Sequence, residues 1–133
     1  MAAHFDTLET RSPAEREEAL FGRLPGFLAR AMEMAPGLAK WLGGTDPRGI
    51  DSRAALSRLP VLRKSDLMEM QAANPPFGGF ADGSALAGGR VFLSPGPLWE
   101  PQGIGADPWA LARAFVAAGI KAGDIVHNAF SYH

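Results

Sequence analysis

Apolar residues in the first third of the chain recur at helical spacing. Leu20, Leu24, Phe27, Leu28 and Ala31 fall at i, i+4, i+7, i+8 and i+11, one face of an amphipathic helix. Its start is marked by Ser12 as N-cap, Pro13 at the first helical position, and Glu15, Glu17 and Glu18 where carboxylates complement the helix dipole. Pro25 and Gly26 interrupt the face, so two consecutive helices are expected. Pro36 and Gly37 punctuate, residues 38–42 supply one more helical turn, and Gly43-Gly44 ends it. Ser52 caps a short helix through Leu56 that must stop before Pro60. Ser65 with Asp66 opens another, through Leu67, Met68 and Met70 to about Ala73, closed by Asn74-Pro75-Pro76.

The period then changes. Residues 77–89 carry few periodic apolar positions and several glycines, and read as loop. Arg90-Val91-Phe92-Leu93-Ser94 is a short apolar run between turn residues, a strand. Asp107 and Pro108 form an N-cap and first-position pair for a helix holding Trp109, Leu111, Ala112, Phe115 and Val116 and ending near Gly119. That helix is apolar nearly all round, which predicts burial. Residues 124–128, Asp-Ile-Val-His-Asn, read as a second strand and complete a strand–helix–strand unit. Strands joined by a crossover helix are parallel, and parallel sheets have several strands and covered faces. Five residues follow the second strand, so the chain reads as truncated, the front of a larger α/β domain with residues 1–75 helical and 76–133 opening the sheet.

Composition narrows the function classes. The 133 residues are 47% hydrophobic and 20% charged, with thirteen Lys and Arg against fourteen Asp and Glu for a formal charge of −1. A generic polyanion binder is excluded, so no nucleic-acid partner is expected. Sixteen glycines and eleven prolines make about a fifth of the chain turn-forming. The absence of cysteine excludes disulfides, zinc ribbons, iron–sulfur sites and a thiol nucleophile. The N-terminus has no apolar run behind a basic start, and the apolar stretch near 109–120 is broken by Arg113, so neither a secretory signal nor a membrane span is expected and the cytoplasm is the default location.

The chemistry concentrates near Ser94. Phosphate loops let backbone N–H groups approach phosphate oxygens through glycines, while hydroxyls and a lysine add donors and charge. Around Ser94 and Gly96, Pro95 and Pro97 each remove an N–H, and Glu100 adds a negative charge. Two readings stand: a phosphate loop with altered donors, or a proline-rich turn leaving a strand. Lys64 beside Arg63 is of the type that contacts phosphate and equally the type found on any surface. His127 and His133 are six apart, a spacing that fits neither a helical nor a strand metal pair, and no metal site is expected. Arg11, Arg16, Arg23 and Arg30 alternate with glutamates as on a solvated helix face.

Three ordered stretches resemble the N-terminal region of the phenylacetate–CoA ligase family, AMP-forming members of the acyl-adenylate superfamily. LPVLRKSDLMEMQAANPPFGGFA, residues 59–81, is similar to the family's LP…TKEDLR…PFGLFA. VFLSPGPLWEPQG, residues 91–103, stands where the family has a strand and an S-S-G-T-T-G-K-P-T phosphate loop. AAGIKAGDIVHNAFSYH, residues 117–133, resembles AAG…GD…NAYGYG. The resemblance implies N-terminal helices followed by the opening strand–helix–strand of an adenylation domain. It also implies a two-step ligase using ATP with Mg and CoA: a carboxylate attacks the α-phosphate to form an acyl-adenylate, and the CoA thiol then displaces AMP.

By position, Ser94, Gly96 and Pro101 match the phosphate loop, while Leu98 replaces a hydroxyl, Trp99 a glycine and Glu100 the cation. Phe130 and Tyr132 inherit a pocket for an aryl or apolar carboxylic acid, with His133 at a family glycine. The alternative for Phe130 and Tyr132 is ordinary core at alternating strand positions. The family's ribose contacts and catalytic lysine lie beyond His133, so the 133 residues alone are expected to be inactive. Two function classes follow: the front of an aryl-acid CoA ligase, or a non-catalytic relative with a degenerate phosphate loop that serves as a binding module. A third reading, a complete small domain, leaves a strand edge exposed and predicts self-association as a homodimer.

Overall fold

The computed structural model describes residues 4–84 and 89–129. They fall into two compact units: Pro13–Gln102, and a smaller one whose described residues are 4–12 and 103–129.

The larger unit opens with α1, Pro13–Met34, a single helix of 22 residues that runs through Pro25. The expected split does not occur. A proline in a helix interior removes one hydrogen bond and costs about 3 kcal/mol, but Phe21 before it and Leu28 after it are both buried on the same helix. Breaking the helix would sacrifice the burial of one of them. The buried face is also displaced from the one the periodicity selects. Leu28 is buried and Leu24 and Ala31 are half-buried as expected, whereas Phe27 is 68% and Leu20 is 55% exposed, so the inward direction is turned toward the Phe21 and Leu28 side by less than one residue step.

Helix α2, Pro36–Leu42, takes Pro36 as its first residue and closes on Gly43, whose φ of 51° lies in the left-handed region and whose N–H donates to the Ala39 carbonyl at 3.2 Å. Inside α2, the Gly37 N–H donates to the Gly79 carbonyl at 2.8 Å. A Cβ at Gly37 would lie 2.5 Å from the Gly78 carbonyl oxygen, so glycine lets the 78–79 loop approach the helix. A 3-10 turn, Pro47–Gly49, leads to α3, Arg53–Leu56, where the Ser52 hydroxyl accepts the Ala55 N–H as a true N-cap. Leu28, Leu42, Ile50 and Ala55 form the buried core, with Leu24, Met32, Leu38, Trp41 and Leu59 packed against it.

Helix α4, Lys64–Ala73, begins one residue before Ser65. Arg63 occupies the N-cap without a side-chain bond, and the Ser65 hydroxyl donates to Asp66 instead. The chain then forms an antiparallel hairpin, β1 Val91–Ser94 and β2 Leu98–Pro101, pairing Val91 with Pro101, Phe92 with Glu100, Leu93 with Trp99 and Ser94 with Leu98. The first strand stands as expected. Its partner, however, is the segment expected to be a loop.

The smaller unit holds a 3-10 turn, Thr7–Thr10, and α5, Ala112–Ala117. Asp107 and Pro108 are not its N-cap and first residue as expected: the N-cap is Leu111, and the Asp107 carboxylate, four residues ahead, accepts the N–H groups of Leu111 and Ala112 at 2.8 and 3.0 Å. Ala110, with φ of 53°, keeps Trp109 and its neighbours out of the helix, so α5 is shorter than expected. No residue of α5 is buried, which overturns the expected burial. Residues 124–129 form no strand, and Ile125 is fully exposed. Among the described residues, then, the expected parallel strand–helix–strand does not form, and the sheet is the two-stranded hairpin. A strand persists only with a strand to pair with, and among the described residues the only strands that pair are the two of the hairpin. What stands is a mixed helix and sheet architecture in which the helices of the larger unit precede the sheet.

Candidate functional site

Two side chains of α4 reach the hairpin. Lys64 and Gln71 are seven residues, about two turns, apart and therefore leave the helix on one face. The Lys64 ammonium donates to the Pro95 carbonyl, in the turn between the strands, at 2.7 Å. Gln71 is only 6% exposed, donates through Nε2 to the Trp99 carbonyl at 2.9 Å and accepts the Trp99 N–H on Oε1 at 2.9 Å. One carboxamide thus satisfies both backbone groups of one residue. Leaving such buried groups unpaired would cost about 1–3 kcal/mol.

The ladder explains why Trp99 is available. The Gln102 N–H donates to the Arg90 carbonyl at 2.9 Å, so that pair is hydrogen-bonded, and alternate pairs along an antiparallel ladder repeat the pattern. Phe92 with Glu100 and Ser94 with Leu98 therefore face each other, while Trp99 directs its N–H and carbonyl outward to Gln71.

Residues paired directly share a side of the sheet. Ser94, Leu98, Phe92 and Glu100 lie on one side, where Leu98 is buried. The Ser94 Oγ is buried and has no hydrogen-bond partner. Val91, Leu93 and Trp99 lie on the other side and are exposed. At the turn, Gly96 has φ of 87°, in the region that favours glycine, and a Cβ there would lie 3.7 Å from both Cε and Nζ of Lys64.

A concave feature sits after α4. A cavity of about 240 Å³ is lined by Asn74, Pro75, Phe77, Gly79, Ala81 and Asp82, among others. Its one carboxylate, Asp82, accepts the Ser84 N–H at 2.8 Å. Perturbed acids lie elsewhere: a side-chain hydrogen bond from Arg48 holds Asp46 below the usual carboxylate range, and one from Arg113 does the same for Asp6. Among the described residues, no group of three or more His, Asp or Glu is placed to hold a metal ion.

At the turn the Lys64 ammonium lies beside Gly96 and Pro95, the Ser94 hydroxyl is buried at the end of β1, and Pro95 and Pro97 offer no N–H. Of the residues singled out from sequence, Ser94 closes β1, Gly96 forms the turn and Pro101 closes β2. Glu100 lies in the strand opposite Phe92, beyond the turn itself. Phe130, Tyr132 and His133 lie outside the described residues. The sequence reading missed Gln71 and left Lys64 undecided. Their seven-residue spacing was the available signal, and it acquires meaning only once a hairpin lies along that face.

No family model and no solved structure matches the chain. Among curated proteins, it is 32% identical over 136 residues to the phenylacetate-coenzyme A ligase of Aromatoleum evansii, an alignment covering 96% of this chain and 30% of that protein. It is likewise 32% identical over 130 residues to the phenylacetate-coenzyme A ligase of Thermus thermophilus, covering 90% of this chain and 28% of that protein. The chain thus spans somewhat under a third of the length of the curated relatives it matches.

Proposed function

For a chain that belongs to the phenylacetate–CoA ligase family over the stretch it spans, we propose that it forms part of an AMP-forming aryl-acid CoA ligase. The whole enzyme would convert ATP, a carboxylate and CoA to acyl-CoA, AMP and diphosphate, and the 133 residues would be inactive alone. The observation that carries this reading is similarity over 96% of the chain to one such ligase. In it, residues 1–75 form the helical lead-in and 76–133 open the adenylation subdomain. Ser94, Gly96 and Pro101 belong to the phosphate-binding turn. Phe130, Tyr132 and His133 line the pocket for an aryl or apolar acid, and MgATP brings its own metal ion.

The test is acid-dependent release of AMP and diphosphate, with thioester formation, by the full-length gene product given phenylacetate, MgATP and CoA. Thioester formed at a rate that depends on all three substrates supports the reading. Absence of all three products overturns it.

One observation favours a second reading, a non-catalytic relative that binds an apolar acid or a protein. Pro95 and Pro97 deprive the turn of two backbone donors. A native chain whose melting temperature is unmoved by millimolar MgATP would support that reading, because a ligand that binds the folded state must raise its stability.

A further inference from the structure

We propose that Lys64, carried on α4 outside the turn, is the cation that meets a phosphate group of ATP at the Pro95–Pro97 turn. The inference rests on the ligase reading and names a residue for it that the turn's own sequence does not contain.

The turn has no cation of its own: residues 94–101 read Ser-Pro-Gly-Pro-Leu-Trp-Glu-Pro, with a glutamate as the one charged side chain. An ammonium is nevertheless present. The Lys64 Nζ is fixed at the tip by its 2.7 Å bond to the Pro95 carbonyl. A lysine ammonium has three donors, and this bond uses one. Gly96 leaves the approach open, since even a methyl group there would sit 3.7 Å from the nitrogen. One residue before Pro95, at the end of β1, the Ser94 hydroxyl is buried without a partner. The two prolines, which cost the turn its N–H groups, also restrict the backbone that presents the Pro95 carbonyl. The charge removed from the strand at Glu100 is thus restored from the helix 31 residues earlier than the turn.

A purely structural clasp between Lys64 and Pro95 makes a different prediction. Lys64→Gln keeps a donor for the carbonyl and loses the charge, whereas Lys64→Arg keeps the charge. The experiment is equilibrium binding of MgATP to the full-length protein and both variants, with melting temperatures recorded. The expected result is binding weaker by about tenfold to a hundredfold for Lys64→Gln, a smaller loss for Lys64→Arg, and similar melting temperatures without nucleotide.

A second measurement needs no variant. Acetylation of the wild-type protein, read by mass spectrometry, should show Lys64 protected severalfold by MgATP while Lys40 and Lys121 react unchanged. Wild-type affinity in Lys64→Gln, or equal acetylation of Lys64 with and without MgATP, overturns the role of Lys64 and leaves the ligase reading standing. A wild-type protein that binds no MgATP overturns both.

Discussion

Residues 13–59 and residues 103–129 both carry patterned apolar side chains, and they end very differently. In the first, α1, α2, α3 and the turn between them bury Phe21, Leu28, Leu42, Ile50 and Ala55. In the second, α5 buries nothing, and Trp109, Phe115, Ile125 and Val126 are exposed. The difference lies in partners. The helical region buries its apolar side chains against one another, whereas in 103–129 they stay half-buried, as at Val116 and Ile120, or exposed. Periodicity therefore identifies an apolar side but does not guarantee that the side is covered.

The sharpest way to break this contrast is in the helical core. Leu28→Ala is expected to destabilise the protein by about 2–5 kcal/mol, while Phe27→Ala, one residue away and exposed, stays within about 0.5 kcal/mol. Equal effects in urea denaturation would show that the buried face of α1 is misplaced. Gln71→Leu removes both partners of Trp99 and should cost about 1–3 kcal/mol, with faster proteolysis between 90 and 102 as the local readout. Gly37→Ala forces a methyl group onto the Gly78 carbonyl and should cost about 1–3 kcal/mol, the range of overpacking. Val126→Thr, in the open region, is expected to change stability by less than about 0.5 kcal/mol.

The smallest effect concerns acid. Asp6 is held below its ordinary value of 3.8, first by the Arg113 side-chain hydrogen bond. A carboxyl depressed in the folded state contributes stability that is present above its unfolded value and lost as pH falls through the folded one. Loosening of the 4–12 segment should therefore begin only below about pH 3.8. Arg113→Gln should bring the Asp6 titration, followed by NMR, back toward the usual carboxylate range. An unchanged titration would remove Arg113 as its cause.

What the sequence disclosed was local. Ser52 and Gly43 announce caps through a side chain and through backbone freedom, and the structure uses both. The second hairpin strand was hidden because Leu98–Pro101 does not alternate cleanly and ends in proline, so its identity depends on pairing with Val91–Ser94. Pro25 misled for a related reason: its penalty is local, while the burial that outweighs it is shared between α1 and the core. Gln71 carries no local signal at all, because a glutamine on a helix is ordinary until a strand presents Trp99 to it. In the donor set, Ser94 and Gly96 were visible as residue types. The reach of Lys64 across 31 positions was not.

The Gln71 clamp also gives the sheet a direction of growth. On the outer rim of β2, both backbone groups of Trp99 are occupied and Pro101 has no N–H to offer, so that rim cannot template another strand. Among the described residues, no side chain seals the rim of β1 at Val91 and Leu93 in this way. A strand added to this sheet would therefore pair with β1, so the hairpin has one rim closed to growth and one open to it.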